Sequence, residues 1–156
     1  MLIFLRFIHL VSLVVWIGGI IFFSFIAAPS IFKILPRETA GDVVGEIFPK
    51  YWVISYICSI TALATIMIVS SHERTYAWVR IGLLVLMTGL AFYSGLIVGS
   101  KARKVKAEIR TTQDPSKKEG LKSQFKILHR NSAILNGIIL ILGVMLIFLT
   151  ATSLKI

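Results

Sequence analysis

Apolar positions along this chain fall into four long runs, and polar positions cluster between them. The first run spans about Leu2 to Ala28 and meets "APS", where Pro29 is expected to end a helix because its ring clashes with the preceding turn. The second spans about Trp52 to Ser71. The third spans about Tyr76 to Ser100, after the polar turn "SHERT", and the fourth about Asn131 to Thr150. Each holds about 20 or more residues, enough to cross a hydrocarbon core of about 30 Å. Inside lipid every backbone N–H and C=O must be paired within its own segment, so the runs are predicted to be helices. The expected fold class is all-α: an integral membrane four-helix bundle, one domain over residues 1–156.

The segments between the runs carry patterns of their own. "PRETAGDVVGEIF" places Ala40, Val43, Val44, Ile47 and Phe48 at helical spacing, with Pro36 near the start and Thr39 positioned to cap. It reads as a short amphipathic helix lying on the inner membrane surface. Gly41 and Gly45, four apart, would let another backbone approach there. "KARKVKAEIR" continues span three as a charged helix, and "TTQDPS" is a turn. Asp114 before Pro115, or Ser116 with Glu119, marks a helix start. Leu121, Phe125 and Leu128 then lead an apolar stripe into span four. Spans three and four should project as an antiparallel cytoplasmic hairpin with a basic surface.

Composition agrees with the pattern: 56% of residues are hydrophobic, and the mean hydropathy is +0.86, too apolar for a core wrapped in polar surface. Charge adds orientation. The formal net charge is +10. Lys101, Arg103, Lys104, Lys106, Arg110, Lys117, Lys118, Lys122, Lys126 and Arg130 all lie between spans three and four, and Lys33, Arg37 and Lys50 between spans one and two. The opposite side holds only Arg6, Arg74, Arg80 and Lys155. Both larger loops should therefore face the cytoplasm and both termini the outside of the inner (plasma) membrane. This placement accounts for the basic balance and argues against nucleic acid; the expected partners are the bilayer and its anionic lipid headgroups. The first run lacks a distinct basic leading region and is too long for a cleaved signal. The single cysteine, Cys58, makes no intrachain disulfide or cysteine zinc site and reads as a packing residue.

Candidate chemistry starts with His9. On a helical wheel His9, Ser12, Trp16, Gly19, Phe23 and Ala27 share one face, and a stripe of polar, small and aromatic residues turns toward other helices. An ionisable group at such a depth points to function, balanced against a neutral imidazole bonded to a neighbouring helix. Gly18 and Gly19 are expected to admit close helix contact. On span four His129, Ser132, Asn136 and Gly143 share a face, forming an inner-side polar cluster with His129 near "FPKYW". Spans one and four run in opposite directions, so the two histidines lie about 20 Å apart and do not ligate one haem. At the depth of His9 the expected companions are Met67, Met145 and His72. Imidazole with thioether suits haem iron or Cu(I), and Arg80 and Arg6 suit haem propionates or lipid headgroups. No acyl-transfer, phosphate-binding or zinc-hydrolase motif is present, and no carboxylate pair lies inside a span.

"HLVSLVVWIGGIIFFSFIAAPSIFKILP", "AGDVVGEIFPKYW" and "FKILHRNSAILN" together resemble a bacterial family of small four-span membrane proteins of unknown function. That family is similar to a eukaryotic transmembrane family linked to cisplatin resistance. The matching positions are His9, Trp16, Gly18, Gly19, Pro29, Phe48, Pro49, His129 and Asn136. More distantly, a histidine early in span one followed by Trp-Gly-Gly resembles the copper-resistance D proteins and the membrane haem-dependent protoporphyrinogen oxidases. The second likeness implies His9 as a haem ligand, without implying the oxidase activity. The expectations are accordingly three. The first is a protein binding haem b, or copper, through His9, Trp16, Gly19, Met67, Arg80 and Met145, with His9, Met67 and Met145 on a metal, serving electron transfer or metal homeostasis within a larger complex. The second is a cofactor-free accessory or scaffold protein. The third is a small-molecule or copper transporter acting as a homo-oligomer.

Overall fold

The computed structural model describes residues 1–70 and 77–153; His72 and the turn around it lie outside the described residues. Four helices long and apolar enough to cross a membrane follow one another: α1 (Leu2–Ile34), α2 (Arg37–Ser70), α3 (Ala77–Thr111) and α4 (Pro115–Ser153). They pack as a cyclic antiparallel bundle, α1 on α2, α2 on α3, α3 on α4 and α4 back on α1. The chain therefore enters and leaves at one end, the terminal end, and the charged connections gather at the other, the basic end. Leu13, Trp16, Ile17, Ile20, Ala62, Ile66, Leu84, Met87, Ile139 and Leu146 fill the interior. The outer face is a belt of Phe22, Phe25, Ile57, Ile60, Ile141 and Phe148, exposed as a lipid-facing surface must be. Trp78 stands exposed at the terminal end, where an indole suits the membrane–water interface.

Two boundaries differ from the sequence reading. Pro29 does not end the first helix. A π-helical stretch over Phe22–Ala27 widens the backbone just before it, which makes room for the proline ring, and α-helix resumes at Ala28 with Pro29 next to it. The chain breaks instead at Leu35, which is extended (φ −103°, ψ 150°), as sterics demand of the residue before Pro36.

The surface helix is not separate either: residues 37–50 form the first turns of a continuous 34-residue α2 with Pro49 inside it. Gly45, four residues before Pro49, carries the carbonyl that the proline cannot bond. Ala40 and Val44 are buried within the protein, so the apolar face of this stretch meets protein rather than lipid. Thr39 lies exposed inside the first turn, while the Ala40 N–H bonds back to the Pro36 carbonyl at 2.9 Å.

The antiparallel basic hairpin forms between α3 and α4. α3 runs on to Thr111, and Asp114 starts α4 by accepting the Ser116 backbone N–H on its carboxylate at 2.9 Å. Of the two start signals it is Asp114 with Pro115 that the chain uses. Val105 and Leu121 are buried between the arms, and Lys117 pairs with Glu108 across the turn at 3.3 Å. The apolar stretch of α2 begins near Trp52, and the turns before it are clamped to α3 outside that stretch. Lys106 bonds the Gly41 carbonyl and the Asp42 carboxylate, both at 2.7 Å, and Arg110 joins on Asp42. The close approach expected at Gly41 and Gly45 is thus made by a lysine side chain, not by a second backbone. The Lys106 hydrogen bond above all, with Arg110 beside it, holds the Asp42 carboxyl below the ordinary carboxylate value.

Close helix contact falls on glycines other than the expected pair. A Cβ on Gly18 or Gly19 would meet nothing within 4 Å. A Cβ on Gly99 would stand 1.9 Å from the Trp52 ring, one on Gly95 1.8 Å from the Tyr56 hydroxyl, and one on Gly143 2.1 Å from Ile17. Gly95 and Gly99 lie in a second π-helical stretch, Tyr93–Gly99, which presents both glycines to two aromatic rings of α2.

Candidate functional site

His9 is 3% exposed and faces the bundle interior from the terminal half of α1. Its Nδ1 lies 3.1 Å from the Ala62 carbonyl oxygen and 3.1 Å from the Thr65 hydroxyl, both on α2. The carbonyl only accepts. The Thr65 hydroxyl donates to the Thr61 carbonyl at 2.7 Å, leaving its own lone pairs to accept from the ring. Nδ1 therefore carries a proton, which it donates to α2. The stripe expected on α1 holds over its first half: Ser12 and Trp16 are buried with His9, and Ser12 returns its hydroxyl to the Ile8 carbonyl at 2.8 Å. Beyond Gly19, which is half-buried, the π-helical stretch turns the face, so Phe23 meets Phe48 and Tyr51 of α2 at centroid distances of 5.1 and 6.1 Å.

The companions expected for His9 do not assemble within one chain. Met67 is 64% exposed and Met145 is 49% exposed, both on the outside of the bundle. Lipid and thioether are equally apolar, so nothing in the physics draws either side chain inward. The methionine that is inside is Met87, fully buried in α3 and lying against Gly143 and Ile17. Its position was legible. Arg80 is 2% exposed, and an intramembrane arginine marks the interior face of its helix; Leu84, Met87 and Ala91 follow on that stripe and are all buried.

Haem b implies a slot beside the ligand imidazole. Leu13, Trp16, Ile66, Leu84, Met87 and Leu146 are all buried to within 1% of complete closure. These interior side chains are thus shielded from outside the bundle. No cluster of three His, Cys, Asp or Glu side chains suited to a metal occurs among the described residues.

The span-four stripe divides between two neighbours. Ser132 is buried against Ser94 of α3, hydroxyl to hydroxyl at 3.4 Å. Asn136 accepts a long hydrogen bond, 3.5 Å, from the Tyr51 hydroxyl of α2. His129 is exposed, and its ring stacks on Phe125 at 6.3 Å. His129 and Asn136 reach the wall of a lateral cleft of about 290 Å³, whose opposite side is Phe23, Ser24, Phe25 and Ala28 of α1, with Phe48 of α2. α1 and α4 touch at Ile17 and Gly143 and part toward the basic end, beside the π-helical stretch. No periodicity announces such a cleft. The two π-helical stretches alter the face each helix presents, and only the packed bundle reveals it.

The model of a family described only as a domain of unknown function, DUF4149, matches residues 11–111. The chain belongs to this family. The DUF4149 match takes in the buried stripe of α1 from Val11 onward, all of α2 and the glycine contacts of α3. An uncharacterized protein of Aquifex aeolicus (strain VF5) is 55% identical over 31 residues, which is 20% of this chain and 24% of that protein. The match thus spans about a quarter of the curated relative's length. No solved structure matches the chain.

Proposed function

We propose that this DUF4149 protein is a cofactor-free accessory protein of the plasma membrane, a packing subunit of a larger membrane complex. In this reading both termini lie outside and the basic hairpin lies in the cytoplasm. The observation that supports it is how His9 is engaged: the imidazole is bonded to the α2 backbone and to Thr65, on the face of α1 that also buries Ser12, Leu13 and Trp16. Such a hydrogen bond across membrane helices averages about 0.6 kcal/mol and reaches about 1.7. His9 then acts as a register pin between α1 and α2. What such a bundle offers to other molecules is its apolar exterior, its lateral cleft and its basic arms. The thirteen lysines and arginines of the two charged connections support the orientation.

The test is purification from native membrane in mild detergent, with an absorption spectrum, metal analysis and native size. A colourless, metal-free, folded protein running in an assembly well above 17.4 kDa is the expected result. A Soret band lost in His9→Ala would overturn it.

One observation favours a second reading, haem b or copper held by His9 for electron transfer or metal homeostasis. A metal-bound imidazole characteristically donates its other N–H to a backbone carbonyl, as Nδ1 does here to Ala62. The same spectrum decides between the two.

A further inference from the structure

The cleft between α1 and α4 has the dimensions and the polarity of a lipid site. Along α4 its lining runs from Leu140 through Gly137, Asn136 and Ala133 to His129. At 1.5 Å per residue this is about 16 Å, close to the depth of one leaflet of a 30 Å core. Its deep end is apolar, with Ile20 and Leu140, and its walls are Phe23, Phe25 and Phe48. Its mouth is marked by His129, while Ser24 and Asn136 add polar side chains at mid-depth. Lys126 and Arg130 stand three residues before His129 and Ala133, so one cation extends the lining stripe past the mouth and the other flanks the mouth itself. Both are exposed.

An apolar slot one leaflet deep that ends in cations is complementary to an amphiphile with a fatty tail and an anionic head. We propose that the cleft holds one acyl chain of an anionic phospholipid from the leaflet at the basic end, with the lipid phosphate on Arg130, Lys126 and His129. The bound chain replaces the helix contact that α1 gives up beyond Ile17 and Gly143. The π-helical stretch at Phe22–Ala27 is the local distortion that holds the two helices apart there.

The purified chain in phosphatidylcholine nanodiscs, doped with spin-labelled phosphatidylglycerol or spin-labelled phosphatidylcholine, tests this directly. The wild-type protein is expected to immobilise phosphatidylglycerol preferentially. Each Lys or Arg at a lipid surface contributes about 1 kcal/mol, so Lys126→Ala with Arg130→Ala should lower that preference by up to about thirtyfold. Gly137→Leu should displace the chain; a Cβ there meets nothing within 4 Å, so the new side chain grows into the cleft. Ala133→Phe fills the same space should that variant fold poorly. Lys101→Ala with Lys104→Ala, equal in charge loss but off the stripe, should leave the preference intact. Equal immobilisation of the two lipids by the wild-type protein overturns the proposal. So does full retention with the cleft filled, or an equal loss from the control pair.

Discussion

Replacing Gly99 by alanine should damage this bundle far more than the same change at Gly18, and the structure sets the size of the difference. A Cβ at Gly99 would stand 1.9, 2.5 and 2.6 Å from three atoms of the Trp52 six-membered ring. Ordinary carbon contacts lie at about 3.5–4.0 Å, so α2 and α3 must separate by about 1.5 Å or the indole must turn. The indole is not free to turn: Phe48 packs 5.4 Å from it and the Arg103 guanidinium lies 5.1 Å over its ring. Overpacking of this kind costs about 1–3 kcal/mol. Alanine is the better helix former by about 0.8–1.0 kcal/mol. That gain enters both variants and cancels in their comparison, because a Cβ at Gly18 meets nothing. Gly99→Ala should therefore be less stable than Gly18→Ala by about 1–3 kcal/mol, measured by reversible SDS unfolding in mixed micelles followed by circular dichroism. In a Trp52→Leu background the clash is gone and the difference should vanish. Equal stability of the two variants, or a penalty that persists without the indole, would refute the assigned packing of α2 on α3.

His9→Leu should cost about 0.6 to 1.7 kcal/mol in the same titration, because Thr65 keeps its bond to the Thr61 carbonyl; a loss above about 4 kcal/mol would mean that His9 does more than align α1 with α2. Asp42, whose folded carboxyl is held below its ordinary value, steadies the first turns of α2 at any pH above that value. The clamp should loosen as pH falls through the lowered value, seen as a loss of hydrogen-exchange protection, relative to the intrinsic rate at each pH, over residues 37–45 in acid and, in Asp42→Asn, already at neutral pH. In a Cys58→Ser background, Lys104→Cys should react with a membrane-impermeant maleimide only in opened cells, and Trp78→Cys in intact ones; the reverse pattern would invert the proposed orientation.

Several features were legible in the residues alone because they are local or periodic. Four apolar runs dictate helices, since lipid offers the backbone no other partner. A proline disfavours helix for the residue before it, and this marks a real break at Leu35 before Pro36, although Pro29 and Pro49 are carried within helices. Asp114 before Pro115 starts α4 whatever surrounds it. His9 and Trp16 face inward because a polar or amphipathic side chain on an apolar helix avoids the acyl chains.

What the tertiary structure decided is which residues of different helices share a level and face one another. Nothing short of the packed bundle pairs His9 with Thr65 and Ala62. Nor does composition place Met67 and Met145 on the lipid face, because membrane interior and protein interior are equally apolar and hydrophobicity carries no inside-outside signal there. The same holds for the glycines. Gly18 and Gly19 stand open and Gly95, Gly99 and Gly143 are pressed against side chains, since what a missing Cβ permits depends on the partner that arrives. The two π-helical stretches alter the face that each helix presents partway along its length, and with them the lateral cleft arises from the assembled bundle rather than from any one segment.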